Sequence, residues 1–228
     1  MPVFQLSEDL LFPPPELARE DGLLAVGGDL SIPRLLLAYQ MGIFPWYSPG
    51  EPILWWAPDP RLVLFPGELH LPQRLSRKIR QKVFEVTRDE AFAEVIRQCA
   101  HTRLRTGQGT WIDEEMIAAY CKLHDLGYAH SVECWDKGKL AGGLYGVALG
   151  KTFFGESMFS RETDSSKVAL ASLVRLLLDW DYDLIDCQTR TEHLVRLGAR
   201  EISGTRFLQL LEQSLTHPTR RGKWPTIA

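Results

Sequence analysis

The chain has 228 residues, 45% of them hydrophobic and 24% charged, the make-up of a soluble globular protein rather than a disordered or fibrous one. A net charge of −3 argues against a protein that coats nucleic acid over its whole surface, so any such contact is expected to be local. No apolar run approaches the roughly 18 residues of a membrane helix, and Met1-Pro2-Val3-Phe4-Gln5 lacks the basic start of a secretory leader, so a cytoplasmic protein with no membrane partner is expected.

Residues 12–15, Phe-Pro-Pro-Pro, form a stiff entry segment. Residues 22–30 read as an apolar run closed by the turn Gly27-Gly28-Asp29, whose glycines lack the spacing of a phosphate cradle. Ser31 caps a helix with Pro33 in its first turn, Leu35, Leu36 and Tyr39 along it, and Gly42 at its end. The loop after it carries Phe44, Trp46 and Tyr47 among Pro45, Pro49 and Gly50. Aromatic side chains in such a loop suit stacking on a base, or a small satellite core. Trp55 and Trp56 lead into a strand over 62–65, and a boundary there divides the chain into a small N-terminal domain, residues 1–62, and a larger one, residues 63–228.

Residues 74–82 are the most basic stretch, with five cations in nine positions: Arg74, Arg77, Lys78, Arg80 and Lys82. On a helix Leu75 and Ile79 would dock it, leaving the cations either as a solvated face or as a footprint for a phosphate backbone. Thr87 and Glu90 have the spacing of a capping box for a helix through Phe92, Val95, Ile96 and Cys99. Asp113 starts another helix through Met116, Ile117, Tyr120 and Leu123, ended by Gly127. Strand signals follow at 130–135, 140–148 and 151–155, with turns at 136–139 and 149–150. Cys99, Cys121, Cys134 and Cys187 form no C-x-x-C pair and lie at no zinc-ligand spacing, so reduced thiols and no metal are expected.

The chemistry concentrates in residues 155–188. A polar cluster begins at Glu156. A helix from Ser165 or Ser166 carries Leu170, Leu173, Val174 and Leu177 at i, i+3, i+4 and i+7. A short strand over 183–188 closes the stretch, and alternation puts Leu184, Asp186 and Gln188 on one face and Ile185 and Cys187 on the other. Two carboxylates, an amide and an apolar wall suit a ligand both cationic and apolar; solvated strand ends are the alternative reading. From residue 87 the order is helix, helix, three antiparallel strands, helix, strand, helix. That order suits an α+β chain with one mixed sheet, similar in pattern to the acyl-CoA N-acyltransferase (GNAT) superfold.

The segments G-L-L-A-V-G-G-D-L, L-L-A-Y-Q-M-G-I-F-P-W-Y-S-P-G, I-L-W-W-A-P-D-P-R, G-T-W-I, L-Y-G-V-A-L-G, F-G-E-S-M-F-S-R and L-I-D-C-Q occur in this order over nearly the whole chain. In them the chain resembles the bacterial leucyl/phenylalanyl-tRNA–protein transferases. The resemblance implies an enzyme that moves Leu or Phe, with Met a further candidate, from aminoacyl-tRNA to the α-amine of proteins beginning with Arg or Lys. The product is marked for degradation, and neither cofactor nor metal is implied. It places Trp46 and Trp111 around the terminal adenosine of the tRNA, and Glu156, Asp186 and Gln188 at the reacting end. It lines an amino-acid pocket with Leu144, Phe153, Met158, Ser160, Leu170, Leu173 and Ile185. Some relatives have Met in place of Leu144 and Phe in place of Leu173, which leaves the Leu-versus-Phe preference open. Residues 74–82 fall where the family has a tRNA-binding basic helix. Two rivals are a coenzyme A-dependent N-acetyltransferase and a non-catalytic binder of basic N-termini. The first expects glycines over 162–167, where there are none; the second does not call for the apolar lining or the basic helix.

Overall fold

The computed structural model describes residues 3–105 and 112–225. Near the N-terminus four short strands form a sheet in the order β1-β2-β4-β3. They are β1 (Phe4–Leu6), β2 (Leu23–Gly27), β3 (Phe44–Pro45) and β4 (Leu54–Trp56). Helix α1 (Ile32–Gln40) packs beside them, with Leu35, Ala38 and Tyr39 buried. It stops where Gly42 turns to φ 72°, and a Cβ there would come within 2.8 Å of the Phe207 ring.

The larger sheet has seven strands. Its elements run β5 (Arg61–Leu64), α2 (Gln73–Arg80), β6 (Glu85–Arg88), α3 (Phe92–Arg105), α4 (Glu114–Asp125), β7 (Ala129–Asp136), β8 (Lys139–Leu149), β9 (Thr152–Ser160), α5 (Ser165–Asp179), β10 (Leu184–Gln188), α6 (Glu192–Val195), β11 (Arg200–Ile202) and α7 (Gly204–Leu215). The strand order is β11-β5-β10-β9-β8-β7-β6, and every pair is antiparallel except β9 with β10. The β7–β8 hairpin turns at Lys137 and Gly138, both at positive φ, as a two-residue turn requires. One face carries α5 and the apolar side of α2; its core includes Leu75, Phe153, Leu170, Leu173 and Ile185. The other face packs on α1, α3, α4 and α7, and its core runs without a break into the small sheet through Leu24 and Trp55. This is the expected α+β architecture with a mixed sheet. Among the described residues no helix is long and apolar enough to cross a membrane.

Two local expectations are corrected, and one strand is unforeseen. Thr87 does not cap a helix. It lies in β6, paired across the sheet with Glu133, and its hydroxyl donates to Glu133 Oε2 at 2.5 Å. Pairing with β7 outcompetes a local cap, and α3 starts only at Phe92. The strand expected over 151–155 runs on to Ser160. Strand β11 carries no alternating apolar signal, and it pairs with β5 all the same.

Helices and strands converge where the sheet parts. The parallel pairing of β9 with β10 lasts only from Leu184–Thr152 to Asp186–Phe154. Beyond it β9 stays with β8 and β10 with β5, so a cleft opens between the strand ends.

Candidate active site

Two bulges shape the cleft. On β9, Gly155 faces Gly146 and Ser157 faces Tyr145, so Glu156 is an extra residue in the strand. The parity of the strand flips there. Phe154 and Phe159, five apart, share one core, while Phe153 and Met158 share the other. Gly146 lies opposite, where a Cβ would come within 2.2 Å of the Phe154 carbonyl oxygen and 2.6 Å of the Phe153 ring. On β10 the extra residue is Cys187. Asp186 faces Val63, but Gln188 faces Leu62, the next residue of β5. Neighbours on β5 point to opposite sides, so Asp186 and Gln188 do not share a face as strict alternation predicts. Gln188 takes φ +63°, an uncommon conformation for a residue with a side chain.

The bulges bring Glu156 and Gln188 together across the cleft. Gln188 Nε2 donates to Glu156 Oε1 at 2.8 Å. Tyr39 of α1 donates to the same oxygen at 2.8 Å, and Tyr120 of α4 donates to Oε2 at 3.2 Å. The two tyrosine hydroxyls also contact each other. Burial, chiefly, pushes the Glu156 carboxyl up to about 7; the hydrogen bonds from Tyr39 and Tyr120 pull the other way. Both phenols are driven well above their ordinary range by burial and then by the Glu156 charge, so they remain donors.

Asp186 is placed otherwise than expected. It is fully buried, and Arg61 grips it with two hydrogen bonds, Nε to Oδ1 at 2.8 Å and Nη2 to Oδ2 at 2.6 Å. The Arg61 guanidinium lies between the rings of Phe44 and Phe207, 4.8 and 4.6 Å from their centroids. Asp186 is not on the cavity wall. It reaches the site through Gln188, whose backbone N–H donates to Asp186 Oδ1 at 2.9 Å and so holds the strained turn.

Between the strand ends lies a cavity of about 340 Å³. Leu144, Phe153, Met158, Leu170, Leu173 and Ile185 line it, and Glu156 and Gln188 close its polar end. Ser160 does not line it. That residue is exposed, and its hydroxyl donates to Ser166 Oγ at 2.8 Å and accepts the Ser166 backbone N–H at 3.1 Å at the start of α5. Cys187 does line the cavity, but burial and then the Asp186 charge push its thiol far up, which makes it a poor nucleophile. Trp46 stands at the rim, 40% exposed, with its ring 5.7 Å from that of Trp56 and its carbonyl held by Trp56 Nε1. Trp111 lies outside the described residues.

The wall also holds residues that sequence reasoning passed over. Thr189, Thr191, His193 and Leu194 form one lip, and Phe44, Tyr145 and Ser157 join the wall. Burial, then Lys167 and Arg196, hold the His193 imidazole below its usual value. Tyr39 and Tyr120 left a signal: a phenol on the apolar stripe of a helix needs a partner for its hydroxyl. Helix α2 sits beside α5, docked through Leu75 and Ile79 as its spacing predicts. Arg74, Arg77, Arg80 and Lys82 are exposed. Lys78 is tied instead to Asp164 at 2.7 Å and to the Thr163 carbonyl at 3.2 Å.

An α+β sheet parted over a cleft with apolar walls and a buried carboxylate–amide end has the form of a site suited to a small apolar group with polar chemistry beside it. Comparison with known sequences makes that class specific. Residues 28–59 match the sequence model described as the leucyl/phenylalanyl-tRNA protein transferase N-terminal domain, and residues 63–212 match the one for leucyl/phenylalanyl-tRNA protein transferase. A leucyl/phenylalanyl-tRNA–protein transferase of Desulforapulum autotrophicum is 58% identical over 98% of both chains. One of Syntrophobacter fumaroxidans is 60% identical over 98% of this chain and 96% of its own. Among solved structures, a GCN5-related N-acetyltransferase from Kribbella flavida overlays with a TM-score of 0.36 and 14% identity, over 74% of this chain and 60% of that one. The chain belongs to the leucyl/phenylalanyl-tRNA–protein transferase family. It is an aminoacyltransferase that acts from aminoacyl-tRNA on proteins.

Proposed function

We propose that the chain transfers Leu, Phe or Met from charged tRNA to the α-amine of cytoplasmic proteins that begin with Arg or Lys, and that the new N-terminus marks them for degradation. The observation that carries this reading is the cavity, apolar at one end and closed at the other by Glu156 and Gln188. Leu, Phe and Met branch no earlier than Cγ and can enter such a slot, whereas Val and Ile are stiff at Cβ. Met158 in the wall adapts to more than one shape. A misplaced methyl costs about 1–3 kcal/mol, so Val is rejected strongly but incompletely.

Aminolysis of the ester runs downhill, so the protein's task is to position the amine and accept its proton. An α-amine with a pKa of about 7.7–8.0 is roughly one-tenth to one-fifth neutral at pH 7. Glu156, at about 7, is matched to take its proton and pass it to the departing ribose oxygen. Its negative charge also favours a basic N-terminal residue. Gln188 orients the amine, and Asp186 fixes Gln188. Trp46 and Trp111 flank the terminal adenosine. Arg74, Arg77, Arg80 and Lys82, with Lys78 partly engaged by Asp164, meet the phosphate backbone.

The test is transfer of Leu, Phe, Met, Val and Ile from their charged tRNAs to peptides beginning with Arg, Lys or Ala. Leu, Phe and Met should pass to Arg and Lys peptides. Equal use of Val and Leu, or of Ala and Arg peptides, would sink the reading. A second donor, aminoacyl-adenosine, separates cavity from helix: Arg77→Ala with Arg80→Ala should weaken only the tRNA reaction and flatten its salt dependence.

A further inference from the structure

The parting of the sheet leaves a strand edge bare. β9 pairs with β8 as far as Ser160, but β10 leaves its other side after Phe154. Over residues 155–159 the backbone groups on that side have no partner among the described residues. A row of unpaired N–H and C=O groups is a template for another strand. The edge is not shut away: Gly155 and Met158 are half-buried, and both line the cavity. Gly155 adds a second sign. Its φ lies outside the left-handed region, and a Cβ there would meet nothing closer than the Asp186 carbonyl oxygen at 3.5 Å and Ile185 Cγ2 at 3.9 Å. Neither conformation nor crowding within the protein calls for glycine here, in contrast to Gly146 across the pair. A strand glycine without such a cause marks a place where another backbone comes close.

We propose that the free edge of β9 receives the backbone of the acceptor's first residues as an added strand, parallel to β9, in the place that β10 vacates. The proposal rests on the reading that the acceptor's α-amine reacts beside Glu156 and Gln188. Those two residues meet where the strands part, so the amine lies at the narrow end of the cleft and the chain behind it runs outward. Outward is the direction of β9 from Gly155 to Ser160, which makes the pairing parallel. Main-chain bonds of this kind hold a peptide without reading its side chains, so one edge serves acceptors that differ beyond the first residue. In an extended strand, alternate residues turn their N–H to the same neighbour. Of acceptor residues 2 and 3, therefore, only one donates to β9.

The experiment measures transfer of Phe from Phe-tRNA to three peptides beginning with Arg: one unmodified, one N-methylated at the amide of residue 2 and one at that of residue 3. The methyl removes a backbone donor and leaves every side chain as it was. One of the two methylated peptides should show a KM raised about tenfold, and the other should stay close to the unmodified peptide. Equal use of all three overturns the proposal. Equal losses in both methylated peptides also overturn it, since they would point to a tight channel rather than to an edge with alternating bonds. Gly155→Ala tests the protein side. Its Cβ has room in the free protein, so the urea midpoint should match wild type. KM for the unmodified peptide should rise about tenfold, with binding of a stable 3′-amide analogue of phenylalanyl-adenosine unchanged. An unchanged KM, or a loss of analogue binding as large as the rise in KM, overturns the proposal. Should Gly155→Ala unfold, the methylated peptides decide alone. Absence of transfer by the wild type to the unmodified peptide is a different failure, since it overturns the functional reading itself.

Discussion

Two carboxylates are buried on adjacent strands, and their surroundings are opposites. Asp186 meets a cation: Arg61 matches its charge at 2.8 and 2.6 Å and is itself sandwiched by Phe44 and Phe207. Among the described residues Glu156 meets neutral donors, Tyr39, Tyr120 and Gln188. A guanidinium answers a buried charge in full and makes a brace. Phenols and an amide answer it in part, and the remainder appears as proton affinity, with the carboxyl lifted to about 7. One pair of residues that looks equivalent in sequence is therefore divided into a charge-matched brace and a carboxyl of raised proton affinity.

The largest effect should come from breaking the brace. Arg61→Met leaves Asp186 buried without its cation, and loss of one partner from such a pair costs about 3–5 kcal/mol. The urea midpoint should fall accordingly, and an unchanged midpoint would show that the pair does not hold β5 to β10. Glu156→Gln tests the other member. Turnover should fall by about 10²-fold. In wild type the rate should climb as pH rises through about 7, where Glu156 loses its proton, and that limb should be missing from the variant. Stability gives a second check. The folded protein binds a proton at Glu156 that the unfolded chain has released between 4.5 and about 7, so wild-type stability should fall across that window as pH rises and level off above it. Glu156→Gln should lack this slope; if it keeps both slope and limb, another group is titrating.

The sequence makes one side of this division readable and hides the other. The spacing of Leu170, Leu173, Val174 and Leu177 correctly foretells the buried face of α5, and Leu75 with Ile79 foretells how α2 docks. Those signals are local and periodic. The bulges are neither: Glu156 and Cys187 are not residues that announce a break in a strand, and a single inserted position undoes the alternation argument for Gln188. The partners are also remote. Arg61 lies 125 residues from Asp186, and Tyr39 lies 117 from Glu156. Thr87 and Glu90 show the reverse hazard, a sound local cap signal overruled by pairing with β7. Ser160 entered the pocket by resemblance alone, and the structure gives its hydroxyl to the start of α5.

The smallest and sharpest test alters one neutral donor. Tyr39 donates to Glu156 at 2.8 Å, and its phenol is driven so far above its usual range that it stays protonated whenever the enzyme works. That hydrogen bond favours the carboxylate over the acid, so it pulls against the upward push of burial. Tyr39→Phe should therefore raise the Glu156 pKa further. A neutral hydrogen bond is worth about 0.5–1.5 kcal/mol net, which corresponds to about one pKa unit at most. At pH 7 the share of Glu156 in its basic form would drop by up to about fivefold, and the rate with it. Near pH 9 the rate should return almost to that of wild type. Tyr120→Phe should do the same more weakly, since its bond is longer, 3.2 Å. A packing change on the Asp186 side, Phe207→Leu, should leave the limb at its wild-type position. If Tyr39→Phe lowers the rate equally at every pH, Tyr39 supports the fold of the site and does not set its proton affinity.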